Sequence, residues 1–284
     1  MDCIAAQVVL LLPVHFFLYG GDVEMMELYT GTPGSGKSLH TSHEIADWLR
    51  AGKNVISTMG IDTDLCFLNP FQKWYVNHFK EKPKNIKHNK KAENFHYIPI
   101  EEITPDYLYS FAAKYHVFGK EHQTIVFLDE CVAIFSPTVL AEKKDGIKIW
   151  NAWDTFFRKH RHLGFDLVLI PQNKKLIQRK VIDYCEYEVK HYNRKNQGFL
   201  GWLFSLFVGG SLFSWSRCWR GTGQKPFEQG WFTYKPLYGL MYNSYCMFDD
   251  TLQPYKEKER NKQIQELVNL LSERVKQLEE KENI

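Results

Sequence analysis

Residues 31–38 read Gly-Thr-Pro-Gly-Ser-Gly-Lys-Ser, and the reading of this octet decides the fold. The pattern G-x-x-x-x-G-K-[ST] is met at Gly31, Gly36, Lys37 and Ser38. Glycines let the backbone curl until successive N–H groups point at one centre, which suits a phosphate. Lys37 supplies a point charge for outer phosphates, and the Ser38 hydroxyl suits Mg²⁺. Thr32, Pro33, Gly34 and Ser35 complete the loop and Leu39 follows it, so the expected nucleotide-binding segment is 31–39. Upstream, Glu27-Leu28-Tyr29-Thr30 is a short extended run. Downstream, Leu39, Ile45, Ala46, Trp48 and Leu49 form a helical stripe that Ala51-Gly52 ends. Such a helix aims its N-terminus, and its dipole, at the bound anion. Val55-Ile56-Ser57 is the next strand.

A second half of the site follows about 90 residues later. Thr124-Ile125-Val126-Phe127-Leu128 is an apolar run ending in Asp129-Glu130, the form of a Walker B strand. Asp129 is expected to hold the Mg²⁺ shell and Glu130 to orient the attacking water. Phe165-Asp166-Leu167-Val168-Leu169-Ile170 is a further buried strand, followed by Pro171-Gln172-Asn173. In ATPases with a catalytic Glu, a strand set between the loop strand and the Walker B strand often ends in a polar sensor. Gln172 and Asn173 are the two candidates, and a plain polar turn is the alternative. Trp153 to Leu163 reads as a helix closed by Gly164, with Arg158, Lys159 and Arg161 near its end. These cations either complement the helix dipole or provide an arginine finger to a neighbouring subunit, Arg161 before Arg158.

The bulk properties set bounds. The chain of 284 residues carries a net charge of +3, so it is no polycation and any nucleic-acid contact is local. Its six cysteines are scattered without a C-x-x-C pair, which supports neither a zinc site nor a disulfide framework. They read as reduced, mostly buried thiols. The eleven histidines show no ligand spacing. Aromatic residues make up 15% and concentrate after residue 198.

Three segments together resemble one family: Gly31 to Ser38, Leu128-Asp129-Glu130-Cys131, and His160-Arg161-His162-Leu163-Gly164-Phe165-Asp166. They are similar to the N-terminal domain of zonula occludens toxin proteins and the related filamentous-phage assembly ATPases. Lys235 to Tyr245 resembles that domain's closing segment, so the likeness covers about residues 26–248. The resemblance implies an α/β P-loop NTPase fold of the RecA, FtsK–HerA type, with a parallel sheet core and helices on both faces. An aromatic, hairpin-rich extension and a C-terminal helix are expected beyond the core. It implies an ATP hydrolase with Mg²⁺ that powers phage assembly and extrusion. Homo-oligomers, phage coat and assembly proteins, the host inner membrane and, secondarily, DNA are the implied partners, with the ATPase domain on the cytoplasmic side. Lys37 and Ser38 then bind nucleotide and Mg²⁺, and Asp129 and Glu130 form the acidic pair. Relatives often carry Thr-Gln where this chain has Pro171-Gln172-Asn173, which leaves Gln172 as the better sensor. Nothing in the sequence supports the toxin activity of the family name.

Three domains are expected: an apolar extension at 1–25, an ATPase domain at 26–250 and a charged tail at 251–284. Cys3 to Gly21 is uncharged but lacks a basic flank, and Met25-Met26 sits where relatives begin. An over-extended start and a membrane anchor are the two readings. Asn196 to Ser216 is free of charge, and Gly209-Gly210 inside it signals an apolar hairpin, with a transmembrane helix as the alternative. Lys80, Lys82, Lys84, Lys87, Lys90 and Lys91 make a basic loop that is solvated or meets DNA or anionic lipid. Ile264, Val268, Leu271, Val275 and Leu278 form a short heptad seam. Two other functions compete with the phage motor: a soluble DNA-packaging or translocating motor, and a nucleotide-gated scaffold without turnover.

Overall fold

The computed structural model describes residues 26–142, 146–196, 211–222 and 225–242. The apolar start, most of the 196–216 stretch and the heptad tail lie outside the described residues. Eight strands form one sheet: β1 Met26–Thr30, β2 Asn54–Ser57, β3 Phe95–Tyr97, β4 Thr124–Asp129, β5 Phe165–Ile170, β6 Tyr187–Asn193, β7 Leu212–Trp219 and β8 Pro226–Thr233. Their order is β3-β2-β4-β5-β1-β6-β7-β8. The first six run parallel, while β7 and β8 add antiparallel at one edge.

Helices cover both faces, and side-chain alternation assigns residues to each. Tyr29, Val55, Ile125, Phe127, Val168 and Val189 face α1 (Lys37–Arg50) and the short α8 (Pro236–Met241). Leu28, Ile56, Val126, Leu128, Leu167 and Leu169 face the other way. They pack against α3 (Pro105–Tyr115), α4 (Val132–Phe135), α6 (Gly146–Lys159) and α7 (Arg179–Tyr184). Two helices complete the set, α2 (Pro70–Phe79) and α5 (Pro137–Glu142). This is the α/β P-loop architecture expected from the sequence.

Several boundaries differ. Helix α1 starts at Lys37 instead of Leu39, because Gly36 takes a left-handed conformation and turns the chain straight into the first helical turn. Helix α6 starts at Gly146 and ends at Lys159, so Arg161 lies in the turn beyond it. In that turn the Gly164 N–H bonds the Arg161 carbonyl and Phe165 N–H bonds the His160 carbonyl, closing the chain onto β5. Leu212 to Ser216 belong to strand β7, so no helix runs through the whole of 196–216. Among the described residues, no helix is long and apolar enough to cross a membrane. Cys66, Cys131, Cys185 and Cys218 are free and buried.

Candidate nucleotide site

The chain leaves β1 at Thr30 and enters the loop through Gly31, whose φ of 151° disfavours any side chain. A Cβ there would meet Ser35 Oγ at 2.4 Å and the His191 carbonyl oxygen at 2.7 Å. Ser35 N–H bonds the Thr32 carbonyl at 3.0 Å, tightening the curl. Gly36, at φ 92°, lies flat against Phe213, whose ring a Cβ would meet at 2.7 Å. Asn193 at the end of β6 donates to the Gly34 carbonyl at 3.2 Å. The loop is therefore held between α1 and the β6–β7 pair.

Strand order brings the acidic pair to the same edge. Strand β5 sits between β1 and β4, pairing with both, so their C-terminal ends align at the loop. Lys37 donates to the Gly31 carbonyl at 3.0 Å. Its burial lowers its affinity for a proton, and the charge of Asp129 partly restores it. Asp129 is lifted to about 6, chiefly by burial and further by Glu130, while Glu130 N–H and Lys37 act against the rise. With β5 between β1 and β4, the Asp129 end of β4 lies at the same sheet edge as the loop that carries Lys37. Thr58, just past β2, pins the strand end: its hydroxyl donates to the Asp129 carbonyl at 3.1 Å and accepts from Asp129 N–H at 2.8 Å. Sequence reading missed Thr58; only the pairing of β2 with β4 puts it there.

Glu130 has φ 55°, an uncommon conformation for a non-glycine residue. Its N–H bonds both Asp129 Oδ1 at 3.0 Å and the Ile170 carbonyl at 3.1 Å. Gln172 Nε2 donates to Glu130 Oε1 at 3.0 Å. Asn173, the other sensor candidate, spends its side-chain oxygen on Lys175 N–H at 3.0 Å. Arginine is absent from this edge among the described partners of the acidic pair. Arg161 ion-pairs with Glu121 at 3.1 Å, and Arg158 pairs with Asp154 at 3.0 Å and Tyr184. Arg158 lies in the last turn of α6 and Arg161 in the turn between α6 and β5, so they sit at the sheet edge opposite the loop.

A buried polar network lies under the loop, and sequence reading missed it. His40 of α1 and His191 of β6 meet at 2.8 Å. His191 Nδ1 faces the Thr30 and Val189 carbonyls, so it donates there and accepts from His40 through Nε2. Glu44 accepts from Tyr29, and Arg217 pairs with the buried Glu27 at 3.1 Å. Burial pushes His40 down to about 3, helped by Arg217, and His191 well below its ordinary value.

The donor set suits a nucleoside triphosphate with Mg²⁺. Ser35 Oγ is buried without a hydrogen-bond partner among the described residues, a donor left over inside the phosphate cradle. The metal ligands offered are the Ser38 hydroxyl and the Asp129 carboxylate, hard oxygens of the kind Mg²⁺ takes together with phosphate and water. No group of three or more His, Cys, Asp or Glu side chains that could hold a metal exists among the described residues.

A family model for zonular occludens toxin (Zot) matches residues 25–203. No curated protein matches the chain. Among solved structures, the N-terminal domain of zonular occludens toxin from Neisseria meningitidis aligns at 16% identity and TM-score 0.41. That alignment covers 77% of this chain and 98% of the other. The DNA-packaging ATPase B204 of Sulfolobus Turreted Icosahedral Virus aligns at 16% identity and TM-score 0.40, over 72% and 98%. The genome packaging NTPase B204 from Sulfolobus turreted icosahedral virus 2, in complex with ATP-gammaS, aligns at 14% identity and TM-score 0.40, again over 72% and 98%. These overlaps are too loose to carry an argument; the family model, spanning more than half of the sequence, is what assigns the family. The chain belongs to the zonular occludens toxin family.

Proposed function

We propose that this chain binds and hydrolyses ATP with Mg²⁺, and that the hydrolysis powers assembly and extrusion of a filamentous phage. Its place of work is the cytoplasmic side of the host inner membrane, as a homo-oligomer engaging coat and assembly proteins. The observation that carries the reading is the Gln172–Glu130–Asp129 row at the same sheet edge as Lys37.

Bound ATP supplies the phosphoanhydride to be cleaved, and Mg²⁺ neutralises charge on its outer phosphates. The loop amides and Lys37 grip the β- and γ-phosphates. Ser38 and Asp129 would hold the metal, whose charge would stabilise the outer phosphates. Glu130 accepts the proton of the attacking water or aims it, and Gln172 fixes the carboxylate through its 3.0 Å bond. Glu130 itself is half-exposed at the strand end.

Lys37→Ala abolishes nucleotide binding in a direct titration. Glu130→Gln keeps binding but lowers phosphate release by about 10²- to 10⁴-fold. If wild type releases phosphate no faster than Glu130→Gln, the chain is a nucleotide-gated scaffold and the enzyme reading fails. Loss of phage extrusion in cells carrying Glu130→Gln, with the protein still made, tests the biological half.

A further inference from the structure

Helix α2 is turned inside out. Its sequence Pro-Phe-Gln-Lys-Trp-Tyr-Val-Asn-His-Phe contains four large aromatic residues, yet its one buried residue is Val76. Phe71 is 71% exposed, Trp74 55% and Phe79 50%. At about 100° per residue, Phe71, Trp74, Tyr75, His78 and Phe79 fall on one side of the helix. Their rings touch along it: Phe71 to Trp74 at 5.8 Å, Trp74 to His78 stacked at 5.4 Å, Tyr75 to Phe79 at 4.8 Å. The helix is firmly built, with a capping box between Asn69 and Gln72, Pro70 in its first turn and a left-handed stop at Lys80. The opposite side is tied to the domain by Asn77, which accepts from the Leu237 N–H at 3.1 Å. On the aromatic side Tyr75 is half-buried, while Phe71, Trp74, His78 and Phe79 are exposed.

The basic loop is laid beside this face. Gln72 donates to the Asn85 carbonyl at 3.1 Å, and half-buried Ile86 packs on the core, so residues 80–91 fold back along α2. Residues 73–91 contain seven lysines and one acidic residue, Glu81. Lys82 is spent on Asp62 and Lys91 on the Arg50 carbonyl. Lys80, Lys84, Lys87 and Lys90 are exposed and have no ion-pair partner among the described residues.

We propose that the aromatic face of α2 with the 80–91 loop is a docking surface for an anionic lipid bilayer. A convex stripe of Trp and Phe beside exposed lysines is the composition of a helix lying in a membrane interface. The rings enter the headgroup layer while the lysines pair with lipid phosphates. A single-stranded nucleic acid also takes aromatics and lysines, but it needs a groove that follows its backbone, and α2 presents a ridge. The proposal stands apart from ATP turnover, because none of its residues belongs to the nucleotide site.

The test is hydrogen exchange on the full chain, read on peptides covering residues 70–91. A local readout is required because the apolar stretches in the sequence at 3–21 and 196–216 offer other routes to a bilayer. Vesicles of phosphatidylcholine with about one third phosphatidylglycerol are compared with pure phosphatidylcholine vesicles, each with and without added salt. Protection of 70–91 with the anionic vesicles alone, weakened by salt, supports the proposal. Phe71→Ser/Trp74→Ser and, separately, Lys84→Glu/Lys87→Glu then lower that protection by about tenfold or more in lipid titration. The lysine pair is exposed, so its variant folds even if the aromatic pair does not. Absence of protection, or equal protection by both vesicle types, overturns it. Protection by an oligonucleotide instead makes the surface a nucleic-acid site, and protection that grows with protein concentration alone makes it a contact between copies. Lys37→Ala should bind vesicles as wild type does, so failure of the ATPase reading leaves this result standing.

Discussion

At the scale of single residues, Glu130 carries two loads. Its carboxylate is the proposed water-orienting group, and its backbone occupies a left-handed conformation that costs a non-glycine residue about 1 kcal/mol or more. The double use of its N–H, by Asp129 Oδ1 and by the Ile170 carbonyl, holds it there. Replacing it separates the two loads. Glu130→Ala and Glu130→Gly both lose turnover, but the glycine variant is the more stable by about 1 kcal/mol in denaturant unfolding. Equal stabilities would mean the backbone is relaxed. The motif residues Gly31 to Ser38 and Asp129-Glu130 were readable because each is local, a few residues whose types alone specify the chemistry. For the sensor, the residues alone left Gln172 and Asn173 open and only the family resemblance favoured Gln172, since the choice turns on which side chain the next turn consumes. Asn173 caps the chain at Lys175, and Gln172 is left to reach Glu130.

At the scale of elements, α1 is joined to β1 and β6 through His40, His191, Tyr29 and Glu44. An unfolded imidazole titrates near 6.5, whereas His40 in the fold is held at about 3. Between those values the unfolded chain binds the extra proton, so His40 contributes stability above pH 6.5 that is lost as pH falls toward 3. Glu27 works in the other direction: burial raises it from 4.5 to about 7 despite Arg217, so over that window the folded chain holds the extra proton. The difference between wild type and His40→Gln isolates the imidazole. From pH 6 to 4, wild type loses up to about 1.4 kcal/mol per pH unit more than the variant. Parallel curves of unfolding midpoint against pH would show that His40 is not held neutral. This network was invisible in the sequence, because 151 residues separate His40 from His191 and only the placing of β6 beside β1 joins them. Helix α2 escaped notice for another reason: its aromatic residues would ordinarily mark a buried side.

At the scale of the whole molecule, the parallel sheet separates two working edges. The C-terminal edge carries the phosphate loop and the acidic pair; the other carries Arg161 and its partner Glu121. Six-residue strands put these edges about 20 Å apart, so Arg161 cannot serve its own site. A finger role for Arg161 would therefore have to act across a subunit boundary. Arg161→Ala then lowers turnover of the assembled oligomer by about 10³-fold while nucleotide affinity of the single chain is unchanged. An assembled variant that turns over at the wild-type rate confines Arg161 to its ion pair. The α/β class was legible from the strand–loop–helix order around the octet together with the family resemblance, whereas the antiparallel pair β7–β8 was not. The reversal between β7 and β8 falls after Trp219, whereas Gly209-Gly210 precedes β7 and lies outside the described residues, and the register of an edge strand is set by tertiary pairing that no local pattern encodes.

The contact between Gly36 and Phe213 has a mechanical corollary. The benzene ring fills the volume beneath the last glycine before Lys37, and it sits on β7, inside the uncharged stretch 196–216. Asn193, on the strand that precedes that stretch, clasps the same loop from its other side. Any change in the spacing of β6 and β7 is therefore felt by the loop at two points, under Gly36 through Phe213 and at the Gly34 carbonyl through Asn193.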